Sequence, residues 1–319
     1  MKPKISIVMS TYNESESELK EAIDSIINQT FKEYEFIIIL DNPKNEEHKK
    51  ILNEYSKIDE RIKFYINEKN IGLAATLNKG IKIAQSNYIA RMDADDICSL
   101  DRLMKQFEFM ENNIKVDILS TNKVDINEKG EIINIASSLP TTHDKIKKIL
   151  PITSIINHSG AFMRKDKILK LNGYRLFPAS QDYDLWLRAL TNKYVFSIID
   201  EPLIQYRVRP NNITNTNPLK QFLIKKYILK LYKMRRKNGT DNFSDENLKK
   251  FLEKNKYNNE NKIYRFKKGL NIINEFKNGI KNKRPLKSSI LLIELLFCDR
   301  MIKSILLDYI KVNIIKRRQ

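Results

Sequence analysis

The chain has 319 residues, 41% of them hydrophobic, which is enough to bury a sizeable core and excludes a disordered protein. Its two cysteines, Cys98 and Cys298, stand far apart and exclude both a disulfide framework and a cysteine metal site; this suits a reducing compartment. The net charge of +19 is confined to one end: residues 1–209 hold 31 Lys and Arg against 30 Asp and Glu, and residues 210–319 hold 27 against 9, with no RNA- or DNA-binding module in either part, so nucleic acid is not an expected partner.

In chain order, "MKPKISIVMSTYNESE" turns polar too soon for a signal peptide, so a cytoplasmic start is expected. Within it Ile5–Ser10 reads as a buried strand. Ser15 and Glu18 have capping-box spacing, and Leu19, Ala22, Ile23, Ile26 and Ile27 then recur on one helical face. Tyr34–Leu40 is the second strand, stopped by "DNP". A polar helix is expected around Glu46–Lys57, then a strand over Ile62–Ile66. "NIG" (Asn70–Gly72) turns into a helix carrying Leu73, Leu77, Ile81 and Ala84, and Tyr88–Met92 is the fourth strand. This alternation predicts an α/β fold with a mostly parallel sheet flanked by crossover helices. Ligands of such sheets bind outside the carboxyl ends of the strands, where Thr11–Asn13, Asp41 and Asp93–Asp96 all fall.

Three carboxylates in "DADD" repel one another and cannot be core. A hard cation, Mg2+ or Mn2+, held by one or two carboxylates and completed by substrate phosphates accounts for them. Asp95 or Asp96 capping the next helix, expected near Asp101, is the simpler alternative, but one cap explains one acid.

"SIVMSTYNE", "IIILDNP", "NIGLAATLNKG", "RMDADD" and "QDYDLWLRAL" together resemble a bacterial family 2 glycosyltransferase of GT-A fold, in that family's order and over roughly Lys4 to Pro210. The resemblance implies an inverting transfer of a sugar from a nucleotide-diphosphate donor, a UDP-sugar, to an acceptor hydroxyl. It places Thr11 and Tyr12 at the base pocket, Asp41 on the uracil N3–H, and Asn78 near the nucleotide. Asp93 falls at the ribose or metal and Asp95 at the metal. Asp182 takes the place of the general base, with Gln181 where the family often has Glu. Each has a plainer alternative: Asp41 as an Asx-turn into Pro43, Asn78 as a solvated helix position, Asp182 and Asp184 as first-turn acids of a helix. His158 in "NHSGAFMRK" matches a segment before the acceptor region. Arg209 in "YRVRPNN" stands where the family often has His, and suits a diphosphate contact.

The expected organisation is a catalytic GT-A domain over 1–210 and a basic α-helical extension over 211–319. The extension holds no catalytic constellation and no uninterrupted apolar run of the ~18 residues a spanning helix needs. Its lysine-rich, apolar helices suit either an anionic membrane surface or packing as a helical subdomain. The resemblance implies a surface glycan or lipid-linked glycan acceptor, and peripheral attachment to the inner face of the cytoplasmic membrane would serve such an acceptor. A metal-dependent phosphoryl-transfer enzyme and an inactive sugar-nucleotide-binding scaffold are the competing classes.

Overall fold

The structure is a computed structural model that describes residues 2–135, 137–209, 217–282 and 284–317. The chain forms two compact units, one of 1–150 with 154–209, the other of 151–153 with 210–319. Pro210 and the "PNN" that follows Arg209 lie outside the described residues.

The first unit opens with the alternation read from the sequence: β1 (Ile5–Thr11), α1 (Glu16–Ile27), β2 (Tyr34–Leu40), α2 (Glu46–Ile58), β3 (Ile62–Ile66), α3 (Leu73–Ile83) and β4 (Tyr88–Asp93). Ser15 and Glu18 form the expected capping box at the start of α1. β3, β2, β1 and β4 pair in parallel in that order. The whole of β2 is buried, as a parallel strand covered on both faces should be.

The rest of the unit is mixed and was not anticipated strand by strand. β5 (Ile97–Cys98), α4 (Arg102–Asn112), β6 (Ile118–Ile126), β7 (Ile132–Ile135), α5 (His143–Ile149), β8 (Phe162–Arg164), α6 (Lys165–Lys170), α7 (Gln181–Thr191) and β9 (Phe196–Arg207) follow. β8 joins β4 to β6 antiparallel on both sides, β6 pairs β9 in parallel, and β5 closes antiparallel on β9. Among the described residues these make one nine-stranded sheet, with β7 pairing only β6. The second unit holds α8 (Pro218–Asn238), α9 (Asp245–Lys254), α10 (Glu260–Lys281), α11 (Pro285–Phe297) and α12 (Arg300–Arg317). Among the described residues no helix is long and apolar enough to cross a membrane.

Packing of α3 on β1 is tight enough to test. A Cβ at Gly80 would come 2.5 Å from Val8 Cγ1 and 3.5 Å from Ile39 Cδ1. Gly80→Ala is therefore expected to destabilise the protein by about 1–3 kcal/mol, overriding the helix-propensity gain of about 1 kcal/mol. The midpoint of urea unfolding checks this; an unchanged or higher midpoint would show that the helix can move away at no cost.

Candidate active site

The parallel register sets Thr11 level with Leu40 and Ser10 level with Asp93, so the carboxyl ends of β1, β2 and β4 form one edge. Thr11 is buried; its hydroxyl donates to Glu14 Oε2 at 2.6 Å and lies 2.9 Å from His48 Nδ1. The Tyr12 N–H donates to the same Glu14 oxygen at 2.8 Å, while the Tyr12 ring is 43% exposed at the edge. Thr11 thus shapes the loop, and the Tyr12 ring stays accessible at its edge.

Asp41 is buried and bound up in the neighbouring turn. Its carboxylate accepts from Asn67 Nδ2 (2.8 Å), the Ile71 N–H (2.9 Å) and the Gly72 N–H (2.9 Å), three of roughly four acceptor positions on a carboxylate. The turn requires Gly72, whose φ is +83°. The Asx-turn before Lys44 falls to Asn42 instead: Asn42 Oδ1 accepts from the Lys44 N–H at 3.2 Å. Asn78 is neither a solvated helix position nor placed as a free donor. Both ends of its amide grip the backbone of Tyr174, donating to the carbonyl at 2.8 Å and accepting from the N–H at 2.8 Å.

The acids after β4 have distinct surroundings. Neither Asp95 nor Asp96 caps α4: β5 intervenes, and Asp101, at the cap position, makes no side-chain cap bond. That alternative is corrected. Asp96 is fully buried and accepts from the Arg207 N–H at 2.9 Å. Burial, then the charges of Asp93 and Asp95, hold its carboxyl well above the ordinary range. Asp95 lies 3.1 Å from Arg209 Nη2, which also lies 3.0 Å from Glu18 Oε2. Burial, followed by the Asp93 charge, pushes Asp95 up to about 7 against the pull of Arg209. Arg209 therefore sits on Asp95, the acid that the sequence reading expects at a metal.

Asp93 pairs with Arg91 Nη1. Arg91 is 1% exposed, a charged side chain in the middle of the sheet, and its Nε and Nη2 have no hydrogen-bond partner among the described residues. Its charge acts on Asp95, Asp182, His158 and Tyr174 as well. The charges of Arg91 and Asp93 both reach Asp182, about ninety positions further along the chain.

Asp182 lies in the first turn of α7, half-buried, after Ser180 in the left-handed region (φ 58°). Such strain in a non-glycine residue is held by surrounding structure and clusters at functional sites. Burial raises the Asp182 pKa against the pull of the Tyr183 N–H and Arg91, making it a stronger proton acceptor than an ordinary aspartate. Asp184, two residues on, is fully buried and pairs with Arg188 Nε at 2.7 Å; Arg188 in turn donates to the carbonyls of Leu171 and Gly173 at 2.6 Å each. Asp184 thus braces the fold, while Asp182 is left half-buried at the start of α7. His158 Nε2 lies 2.9 Å from the Tyr174 hydroxyl, and burial, aided by Arg91, lowers the His158 pKa well below its usual value.

Sequence reasoning missed Arg91, Arg207, Glu14, Glu18 and Tyr174. Arg91 had a signal: a charge interrupting the apolar strand "YIARM" implies buried acidic partners.

The model of the glycosyl transferase family 2 matches residues 6–171, more than half of the chain. The chain belongs to glycosyl transferase family 2. It is 42% identical over 242 residues to an uncharacterized glycosyltransferase of Methanocaldococcus jannaschii, covering 76% of this chain and 83% of that one. It is 35% identical over 235 residues to the O-antigen biosynthesis glycosyltransferase WbnJ of Escherichia coli, covering 73% and 90%. The structure of S. aureus TarS 1-349 in complex with UDP-GlcNAc superposes with a TM-score of 0.59 at 16% identity, over 78% of this chain and 70% of that chain. The fold is GT-A, as the sequence motifs implied, with a helical C-terminal region. As a family 2 glycosyltransferase the protein is an enzyme of sugar transfer, which sets aside the phosphoryl-transfer reading.

Proposed function

We propose that this enzyme is an inverting glycosyltransferase that moves a sugar from a UDP-sugar to an acceptor hydroxyl in surface polysaccharide or lipooligosaccharide synthesis. The observation that carries the reading is the pairing of Asp93 with buried Arg91 at the carboxyl edge of the sheet, with Asp182 near enough to feel both charges. The UDP-GlcNAc held by TarS and the O-antigen role named for WbnJ support the donor and the pathway class.

In the proposed reaction the acceptor oxygen attacks the anomeric carbon as the bond from that carbon to the diphosphate oxygen breaks. Asp182 takes the acceptor proton, and UDP leaves from the opposite face. Tyr12 presents its ring to the base. Asp41, with one acceptor position left, takes the uracil N3–H while holding the Ile71–Gly72 turn. Thr11 orders the loop beneath Tyr12, and Asn78 acts by fixing Tyr174.

Among the described residues no three His, Cys, Asp or Glu side chains gather to hold a metal alone. Two hard carboxylates, Asp93 and Asp95, fit Mn2+ or Mg2+ completed by diphosphate oxygens and water. When bound, the cation supplies neutralising charge to the departing diphosphate.

The direct test of donor and transfer is release of UDP from a panel of UDP-sugars in the presence of manganese. UDP release that needs acceptor supports the reading; turnover of no nucleotide sugar contradicts it. A pH test follows from Asp95. Its folded pKa of about 7 stands above the unfolded value of about 3.9, so its contribution to stability is fully present below about 3.9 and lost as pH rises through about 7. Manganese is therefore expected to raise the melting temperature more at about pH 8 than at about pH 5.5. A larger shift at the lower pH would contradict Asp95 as a ligand.

The proposed location is cytoplasmic, peripheral on the inner membrane face, with the nucleotide-binding and catalytic work in 1–210 and membrane-surface contact in 211–319.

A further inference from the structure

α11 is apolar nearly all round, yet among the described residues only one side of it is covered. Ser288, Leu291 and Leu295 are buried, and Gly279 of α10 lets Ser288 approach closely: a Cβ there would lie 2.6 Å from the Ser288 hydroxyl. At 100° per residue, the opposite side carries Leu286, Ile290, Ile293 and Phe297, spaced i, i+4, i+7 and i+11. All four are exposed, Leu286 by 77% and Phe297 by 86%. A soluble monomer rarely leaves a continuous stripe of large apolar side chains in water.

Charge selects the occupant. Residues 281–319 carry ten Lys and Arg against three acids, so a second copy of this chain would bring like charge against like. The preferred occupant is apolar inside and negative at its surface. α11 has 13 residues, about 20 Å at 1.5 Å each, and is too short to cross a hydrocarbon core of about 30 Å. It can lie in the interface with its stripe among acyl chains and lysines at the headgroups.

We infer that the Leu286–Ile290–Ile293–Phe297 face of α11 is an insertion surface for a bilayer containing anionic lipid. The inference rests on the peripheral-membrane reading above and sharpens it: attachment needs apolar insertion as well as charge.

The test uses the full chain with vesicles of phosphatidylethanolamine and phosphatidylglycerol, and with vesicles of phosphatidylcholine alone. The wild-type protein is expected to bind the first and bind the second weakly. The exposed-site variant Ile290→Ser/Ile293→Ser/Phe297→Ser should bind the anionic vesicles roughly a hundredfold less. Its melting temperature and its UDP binding without vesicles should stay unchanged. Phe297→Trp should show a blue-shifted emission on anionic vesicles. Wild-type-like binding of the triple variant would overturn insertion and leave charge alone. Vesicle binding by no protein would overturn the membrane reading as a whole. Self-association or capture of an acidic protein, abolished by the triple variant with no Phe297→Trp shift on vesicles, would assign the stripe to that partner instead. The glycosyltransferase reading fails separately, by absence of UDP-sugar turnover in every protein.

Discussion

Asp182→Asn is expected to bind UDP and manganese like the wild type and to lose about 10²–10⁴-fold in transfer rate, the usual scale of general-base catalysis. Asparagine keeps the size and the place in the first turn of α7 but cannot take up a proton at neutral pH. The neighbouring acid supplies the control. Asp184→Asn breaks a fully buried pair with Arg188, whose other nitrogens hold the carbonyls of Leu171 and Gly173. Its expected effect is a loss of stability of about 3–5 kcal/mol, the scale for removing one partner of a buried ion pair. Steady-state rates and thermal melts of both variants separate the roles. A rate defect in a well-folded Asp184→Asn protein, with Asp182→Asn fully active, would move the base to the other acid.

Asp95→Ala is expected to abolish nearly all donor turnover and to remove the dependence of UDP binding on manganese. The alanine leaves Arg209 still paired with Glu18, so the protein should still fold. Isothermal titration with UDP, with and without manganese, reads the binding; released UDP reads the turnover. Full activity in EDTA, or in Asp95→Ala, would contradict Asp95 as a metal ligand.

The parallel half of the sheet was legible because each strand is a short apolar run followed by a helix of clear period, and consecutive strands become neighbours. The polar edge came with it, since strand direction alone places Thr11, Asp41 and Asp93 together. The mixed half was hidden for a physical reason. β6 finds its partners in β8 and β9, far along the chain, and Arg207 reaches Asp96 across 111 positions. Local period carries no information about such pairings. The same distance hid the true duty of Asn78, which clasps Tyr174 96 positions away. Asp41 and Thr11 do stand at the ends of β2 and β1, where the sequence put them, but how much of their bonding is spent on shaping loops needs coordinates to see. In the tail the charge was plain from composition. Which side of α11 is covered was not, because a helix apolar on every side has no period to read.

The most direct test of the central claim is the anomeric configuration of the product. Proton NMR of the glycoside formed from an α-linked UDP-sugar should show the β anomer, as single displacement with Asp182 as base requires. An α-linked product would contradict the account.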